Sequence, residues 1–200
     1  MLSKRTLLII LFTGFVFFLL LLSCLMIERS ITDSSKSIIK NVVSVSDLKP
    51  ISPGLPSRLK IPKINIDVAL EHVGLTTQGA VDMPKGRSNG AWFDLSPRPG
   101  ENGNAIITGH YGYWGKDEPA IFNDLYKLQK GDKLYIEDEK GTIIIFIVRE
   151  LQIYDRDEYA PGVFNSGDGK AHLNLITCDG SWIVSQKTYS NRLIVFTDKE

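Results

Sequence analysis

A mainly β domain carried on a membrane anchor is the fold class this sequence predicts. Three observations carry that prediction. Residues 7–27, LLIILFTGFVFFLLLLSCLMI, form one unbroken apolar run. From residue 58 onward, short β-branched and aromatic runs alternate with Gly, Pro, Asn and Asp, the punctuation of strands and turns. Only one short segment of that region has helical spacing. The chain has 200 residues, of which 43% are hydrophobic and 23% charged; this suits one folded domain with an appendage and excludes wholesale disorder. Basic and acidic residues balance at 23 each, so no basic excess argues for nucleic acid as a partner. Two cysteines, Cys24 and Cys178, exclude a disulfide-stapled scaffold.

The elements follow in chain order. Residues 1–6 are a short leader with Lys4 and Arg5. The 21 residues of the apolar run would reach about 31 Å as a helix, close to the thickness of a bilayer core. A secretory signal has a shorter apolar stretch and a small-residue cleavage site, so the run reads as an uncleaved anchor. Leu21-Leu22-Ser23-Cys24 loosely resembles a lipidation site, but the apolar run continues past the cysteine through Leu25, Met26 and Ile27. Basic residues flank both ends (Lys4 and Arg5, then Arg29, Lys36 and Lys40), and the charge bias leaves the orientation open. Residues 28–57 read as a stalk ending in a proline-rich spacer, KPISPGLPS, because proline removes backbone donors and disfavours helix before it.

The domain is placed at residues 58–200. Leu59, Ile61, Ile64 and Ile66 surround Pro62, which marks an edge or interrupted strand. Residues 68–73 and 105–108 are strands, separated by a Gly/Pro-rich stretch holding Ala91-Trp92-Phe93. Residues 121–128 have apolar positions at i, i+1, i+4 and i+7 and suit one or two helical turns. Residues 134–136 and 143–148 flank a Gly-containing turn as a hairpin. Residues 172–177 and 193–197 complete seven or so strands. A closed barrel is the expected solution, since closure removes exposed edges.

Cys178 is the single cysteine beyond the apolar run and ends a strand at Leu-Asn-Leu-Ile-Thr-Cys. Asp179-Gly180 after it reads as a turn, placing the thiol at a strand mouth. A thiol nucleophile needs a proton-transfer partner, most often histidine. His172 is six residues away on the same strand, about 20 Å, and is out of reach. His72 reads as an exposed polar residue. His110, delivered by an apolar strand behind Gly109, is the best candidate. Arg192 heads the last strand as a possible oxyanion donor, with Arg87, Arg98, Arg149 and Arg156 competing on spacing alone.

Thr108-Gly109-His110, then Leu175-Ile176-Thr177-Cys178, then Arg192, in the order His, Cys, Arg, resemble the signature of the sortase family. The likeness extends over residues 58–198 and includes Pro97-Arg98-Pro99-Gly100-Glu101 before the histidine strand. One departure is Asn174, where the family's cysteine motif usually has threonine. The resemblance implies a closed eight-stranded β-barrel with one or two short helices on an N-terminal transmembrane helix. It implies a membrane-anchored cysteine transpeptidase of a Gram-positive cell surface, amino terminus inside and domain outside. Such an enzyme cleaves a Leu-Pro-x-Thr-Gly-like (LPxTG-like) sorting signal between Thr and Gly and holds the product as a thioester. An amine of peptidoglycan or of a surface protein then resolves the thioester.

Carried over, Cys178 is the nucleophile, His110 the general acid and Arg192 the oxyanion partner. Thr177, Thr108 and Trp182 are assigned to substrate binding. Residues 151–171 match a mobile loop receiving the apolar part of the signal, and residues 179–191 the opposite wall. The proline spacer and the want of a lid segment resemble the housekeeping or class D to F groups. Some members bind Ca²⁺, but Glu101, Asp117, Glu118, Asp155, Asp157 and Glu158 show no ligand spacing, so no metal or other cofactor is expected. Two alternatives differ in class. An L,D-transpeptidase-like thiol enzyme would carry Ser-x-Gly before its cysteine, where this chain has Leu-Ile-Thr. A non-catalytic anchored β-domain binding a surface partner would keep Cys178 as an unreactive structural residue.

Overall fold

The computed structural model describes residues 52–113 and 118–200. The leader, the apolar run and the stalk as far as residue 51 lie outside the described residues, as does Asp117. Among the described residues no helix is long and apolar enough to cross a membrane.

Eight strands close into a barrel in the order β1-β2-β3-β4-β7-β8-β6-β5. They are β1 (Pro56–Ile61), β2 (Ile66–Val73), β3 (Gly90–Phe93), β4 (Gly103–Gly109), β5 (Lys133–Asp138), β6 (Ile143–Asp155), β7 (Ala171–Ile183) and β8 (Thr188–Lys199). The β2–β3 and β4–β7 pairs are parallel and the rest antiparallel. The expected closed barrel is therefore present, with eight strands where the turn signals alone suggested about seven.

Alternation of side chains builds the core. In β5 and β6, Leu134 and Ile136 face Ile144, Phe146 and Val148, and all five are buried; the two-residue period sends their neighbours outward. Leu173 and Leu175 of β7, Leu193 and Val195 of β8, and Ala105 and Ile107 of β4 complete the barrel interior. Full burial of each large aliphatic or aromatic side chain is worth roughly 1.5–3 kcal/mol. A second apolar cluster lies on the outer face of the same strands. Ile106, Ile194 and Phe196 pack there against Val163 of a short α-helix, α1 (Pro161–Phe164).

Several local expectations are corrected. The barrel begins before residue 58: Pro56 and Ser57 are in β1, and the Gly54 amide donates to Asp138 (2.9 Å). Pro62 does interrupt the first strands, as the first residue of a 3-10 turn between β1 and β2. Residues 121–128 form turns with one three-residue 3-10 segment, Leu125–Lys127, because Phe122 and Leu125 are pulled into the barrel core. Asp179-Gly180 does not end β7. It forms a bulge within the β7–β8 pair, with Gly180 at φ 81°, and the strands run on to Ile183 and Thr188. β6 likewise reaches Asp155, so residues 151–155 are strand rather than loop.

Candidate active site

β4 and β7 run side by side, and their pairing ends at Thr108 with Ile176. Beyond that point β7 is paired with β8 alone, and β4 leaves the sheet through Gly109 into His110. Cys178 thus stands at a mouth between two strands although β7 itself continues. It is directly opposite Arg192 of β8. Residues so paired share a face, with Cβ atoms about 4.5–5.5 Å apart. His110 and Cys178 each lie two residues beyond the last β4–β7 pair, Thr108 with Ile176.

Two contacts fix the end of β4. The buried hydroxyl of Thr177 donates to the Gly109 carbonyl at 2.8 Å, tying the histidine strand to the cysteine strand one residue before each functional side chain. Phe122 then fills the space above Gly109: a Cβ there would meet its ring at 2.5 Å. Only glycine lets the ring close over the backbone at this point. His110 places Nε2 at 2.9 Å from the Pro84 carbonyl. A carbonyl only accepts, so Nε2 carries the hydrogen.

Electrostatics at the thiol are opposed. Burial pushes the Cys178 thiol above its ordinary pKa, and the Arg192 charge pulls in the other direction, with burial the larger effect. Arg192 donates to the carbonyls of Asn191 (2.8 Å) and Tyr189 (3.2 Å) and to the Thr188 hydroxyl (3.3 Å). Among the described residues no carboxylate lies within ion-pair distance of it. Its guanidinium is thus oriented by neutral oxygens.

A family model described as Sortase domain matches residues 59–200. The chain belongs to the sortase family. Sortase A of Listeria monocytogenes is 34% identical over 77 residues, covering 38% of this chain and 32% of that protein, so the chain aligns with about a third of this relative's length. Among solved structures, sortase C-1 from Actinomyces oris superposes with a TM-score of 0.57 at 22% identity, covering 75% of this chain and 74% of that one. Sortase A from Corynebacterium diphtheriae gives 0.55 at 21% identity, with 74% and 61% covered. The barrel is therefore a fold this sortase shares with both a sortase A and a sortase C.

Within this sortase the six residues singled out from sequence divide into three groups. Cys178 and Arg192 face each other across β7 and β8, and His110 follows the end of β4, the strand paired with β7 on its other side. Thr177 and Thr108 are buried, at 2% and 3% exposure, and spend their hydroxyls internally, Thr177 on Gly109 and Thr108 on the Asp82 carbonyl (3.2 Å). They hold strands and loops in place around the mouth. Trp182 is 51% exposed and rests edge-on against Tyr189, which in turn meets Tyr111 (centroids 5.1 and 5.0 Å).

Of the remaining histidines, His172 is held between Asp198 and Asp168 (2.8 and 3.0 Å), four pairs down β7 from Ile176 by register. His72 is exposed but does have a partner: its Nε2 lies 3.0 Å from the Pro56 carbonyl, and its ring lies against Trp92. No three His, Cys, Asp or Glu side chains converge as a metal site among the described residues. Glu101 is used structurally, receiving the Ser52 hydroxyl and the Arg98 amide. Two features escaped the sequence reading: the Tyr111–Tyr189 pair, which has no spacing signature, and the role of Asn174, noted as a departure without a function, whose carboxamide donates to the Val163 carbonyl of α1 at 2.7 Å.

Proposed function

We propose that this sortase is a membrane-anchored cysteine transpeptidase acting on an LPxTG-like sorting signal. The observation that carries the reading is the direct cross-strand pairing of Cys178 with Arg192, beside the strand end that delivers His110. The Cys178 thiol passes its proton to His110 as Sγ attacks the scissile carbonyl, and the tetrahedral oxyanion is met by the Arg192 guanidinium. His110, held by Pro84 through Nε2, gives a proton to the leaving amine, which departs as the C–N bond breaks and the thioester remains. An incoming amine then attacks that thioester; His110 takes its proton and passes it to the departing sulfur, so that the C–S bond breaks and the thiol is regenerated. Sulfur suits both halves of the exchange, being a good nucleophile and a good leaving group.

Trp182 lines the acceptor-side wall in this reading, and the reaction uses protein groups alone, with no metal. The run at residues 7–27 holds the enzyme in the membrane with its amino terminus inside, so that the barrel faces the wall and its amines. The full chain in detergent micelles, incubated with an LPxTG-type peptide library and followed by intact mass, tests this. An acyl mass on Cys178 that added amine discharges is the expected result. A thiol that resists alkylation and forms no adduct would instead support a non-catalytic anchored domain.

A further inference from the structure

The carbonyl that holds His110 is itself held by a carboxylate. Glu71 of β2 pairs with Ala91 of β3, and Ala91 pairs with Thr108 of β4, so Glu71 and Thr108 stand in one row on one face of the sheet. Ala91 between them is fully buried. Residues 82–86 are tied to both ends of that row. The Asp82 carbonyl accepts from the Thr108 hydroxyl (3.2 Å), and Glu71 accepts from the Lys85 amide on Oε2 and the Gly86 amide on Oε1, both at 2.9 Å. Between the two ties lies Pro84, a buried residue whose carbonyl accepts from His110 Nε2 at 2.9 Å.

The Lys85 amide and the Pro84 carbonyl belong to the same planar peptide group, so fixing its N–H also fixes the direction of its C=O. A carboxylate on the N–H side polarises the group toward its oxygen, the cooperative effect of linked hydrogen bonds. The chain of contacts thus runs from Glu71 Oε2 through the Lys85 N–H and the Pro84 C=O to His110 Nε2–H. The loop is shaped around the carboxylate. Asn89 Nδ2 donates a further bond to Oε1 (3.0 Å), and a Cβ at Gly86 would meet Asn89 Nδ2 at 2.6 Å and Glu71 Oε1 at 3.1 Å. The bonds from Asn89, Gly86 and Lys85 hold the Glu71 carboxyl below its ordinary range, which keeps it ionised at neutral pH.

We propose that Glu71 is a positioning residue for the reaction, aligning and polarising the Pro84 carbonyl so that it steadies His110 in its protonated form. It acts through the peptide group and not on the reacting atoms. The inference rests on the transpeptidase reading above, in which His110 takes the thiol proton and delivers it to the leaving amine. The imidazolium so formed is a charged donor, and a carbonyl made more negative binds it better than it binds the neutral ring. The gain is therefore largest while His110 carries the proton.

The test compares the full chain in detergent micelles with Glu71→Gln and Asn89→Ala. A glutamine that keeps the Gly86 and Asn89 bonds on its oxygen turns its NH2 toward the Lys85 amide, so this variant removes the charge and the bond that reaches Pro84. Asn89→Ala removes a bond to the same carboxylate and leaves both peptide donors in place. In Glu71→Gln, kcat for acylation should fall about tenfold with KM changed less than about twofold, and the His110 Nε2–H proton resonance should move upfield as its acceptor weakens. In Asn89→Ala the melting temperature should fall, with kcat within about twofold of the wild type. Unchanged kcat in Glu71→Gln, an unmoved resonance, or an equal loss of kcat in Asn89→Ala overturns the proposal, the last because loosening of the loop would then suffice. Should Glu71→Gln melt below the assay temperature, the resonance recorded where the variant is folded decides. Failure of the wild-type chain to acylate would remove the transpeptidase reading itself, a result distinct from failure of the variants.

Discussion

At the scale of single residues, the site is governed by one charge and one hydroxyl. Arg192 opposes the burial that raises the Cys178 thiol. In Arg192→Ala that opposition is gone, so the thiol pKa rises further and less thiolate is present at neutral pH. The alkylation profile of Cys178 should move to higher pH, and kcat/KM should fall by about 100-fold or more as the oxyanion loses its donor. An unshifted profile with full activity would show that Arg192 serves neither role. Thr177 makes a different contribution. Thr177→Val removes the 2.8 Å bond to Gly109 and leaves that carbonyl without its donor, which should cost about 1–3 kcal/mol in denaturant unfolding. Because His110 follows Gly109, the same variant should also lower kcat, measured on the acylation step.

Elements rather than residues decide where the histidine goes. β4 ends where Phe122 closes over Gly109, and a methyl there would lie 2.5 Å from the fully buried ring. Gly109→Ala should therefore destabilise by about 1–3 kcal/mol, the usual penalty of overpacking. It should also reduce acylation by more than its folding loss explains, since any backbone shift carries His110 with it; unaltered acylation in the folded variant would refute that coupling. The Thr-Gly-His run was legible as a strand end because three β-branched or small apolar residues precede a glycine. That a phenylalanine 13 positions on requires the glycine was not legible, since the segment between follows no period. The Asp179-Gly180 pair misled for a related reason. Turn chemistry and a glycine-bearing bulge share residue types, and only pairing of β7 with β8 on both sides of the pair distinguishes them.

For the molecule as a whole, two carboxylates away from the thiol are structural. Asp168 is held well below the usual carboxylate range by hydrogen bonds from Ser166, His172 and the Lys170 amide. At Asp138 burial works the other way but is outweighed by bonds from Thr142, Gly54 and Lys140, so its pKa is also lowered. A carboxylate with a depressed folded pKa stabilises the fold above its unfolded pKa, about 3.9, and that contribution is lost as pH falls toward the folded value. Thermal stability should therefore decline progressively below about pH 4, and Asp168→Asn should flatten part of that decline; an unchanged acid limb would argue against it. Chelation is a separate check on the whole reaction: EGTA should leave turnover of the peptide unaltered, and loss of turnover restored by Ca²⁺ would overturn the metal-free mechanism.

The sequence by itself determined the β character of the domain and most of its strands, the order His110, Cys178, Arg192, and the want of any helical repeat in the domain. Alternating burial and β-branched runs are local properties, readable from neighbours two residues apart. Tertiary structure alone decided which strands adjoin. The parallel β4–β7 pair brings the strand that ends before His110 beside the strand that carries Cys178, and the β7–β8 register sets Arg192 opposite that cysteine. The same pairing places Asn104 and Asn174 under one short helix. Strand adjacency depends on loop closure and on which apolar faces meet in the barrel. Those are non-local quantities that no window of the sequence contains.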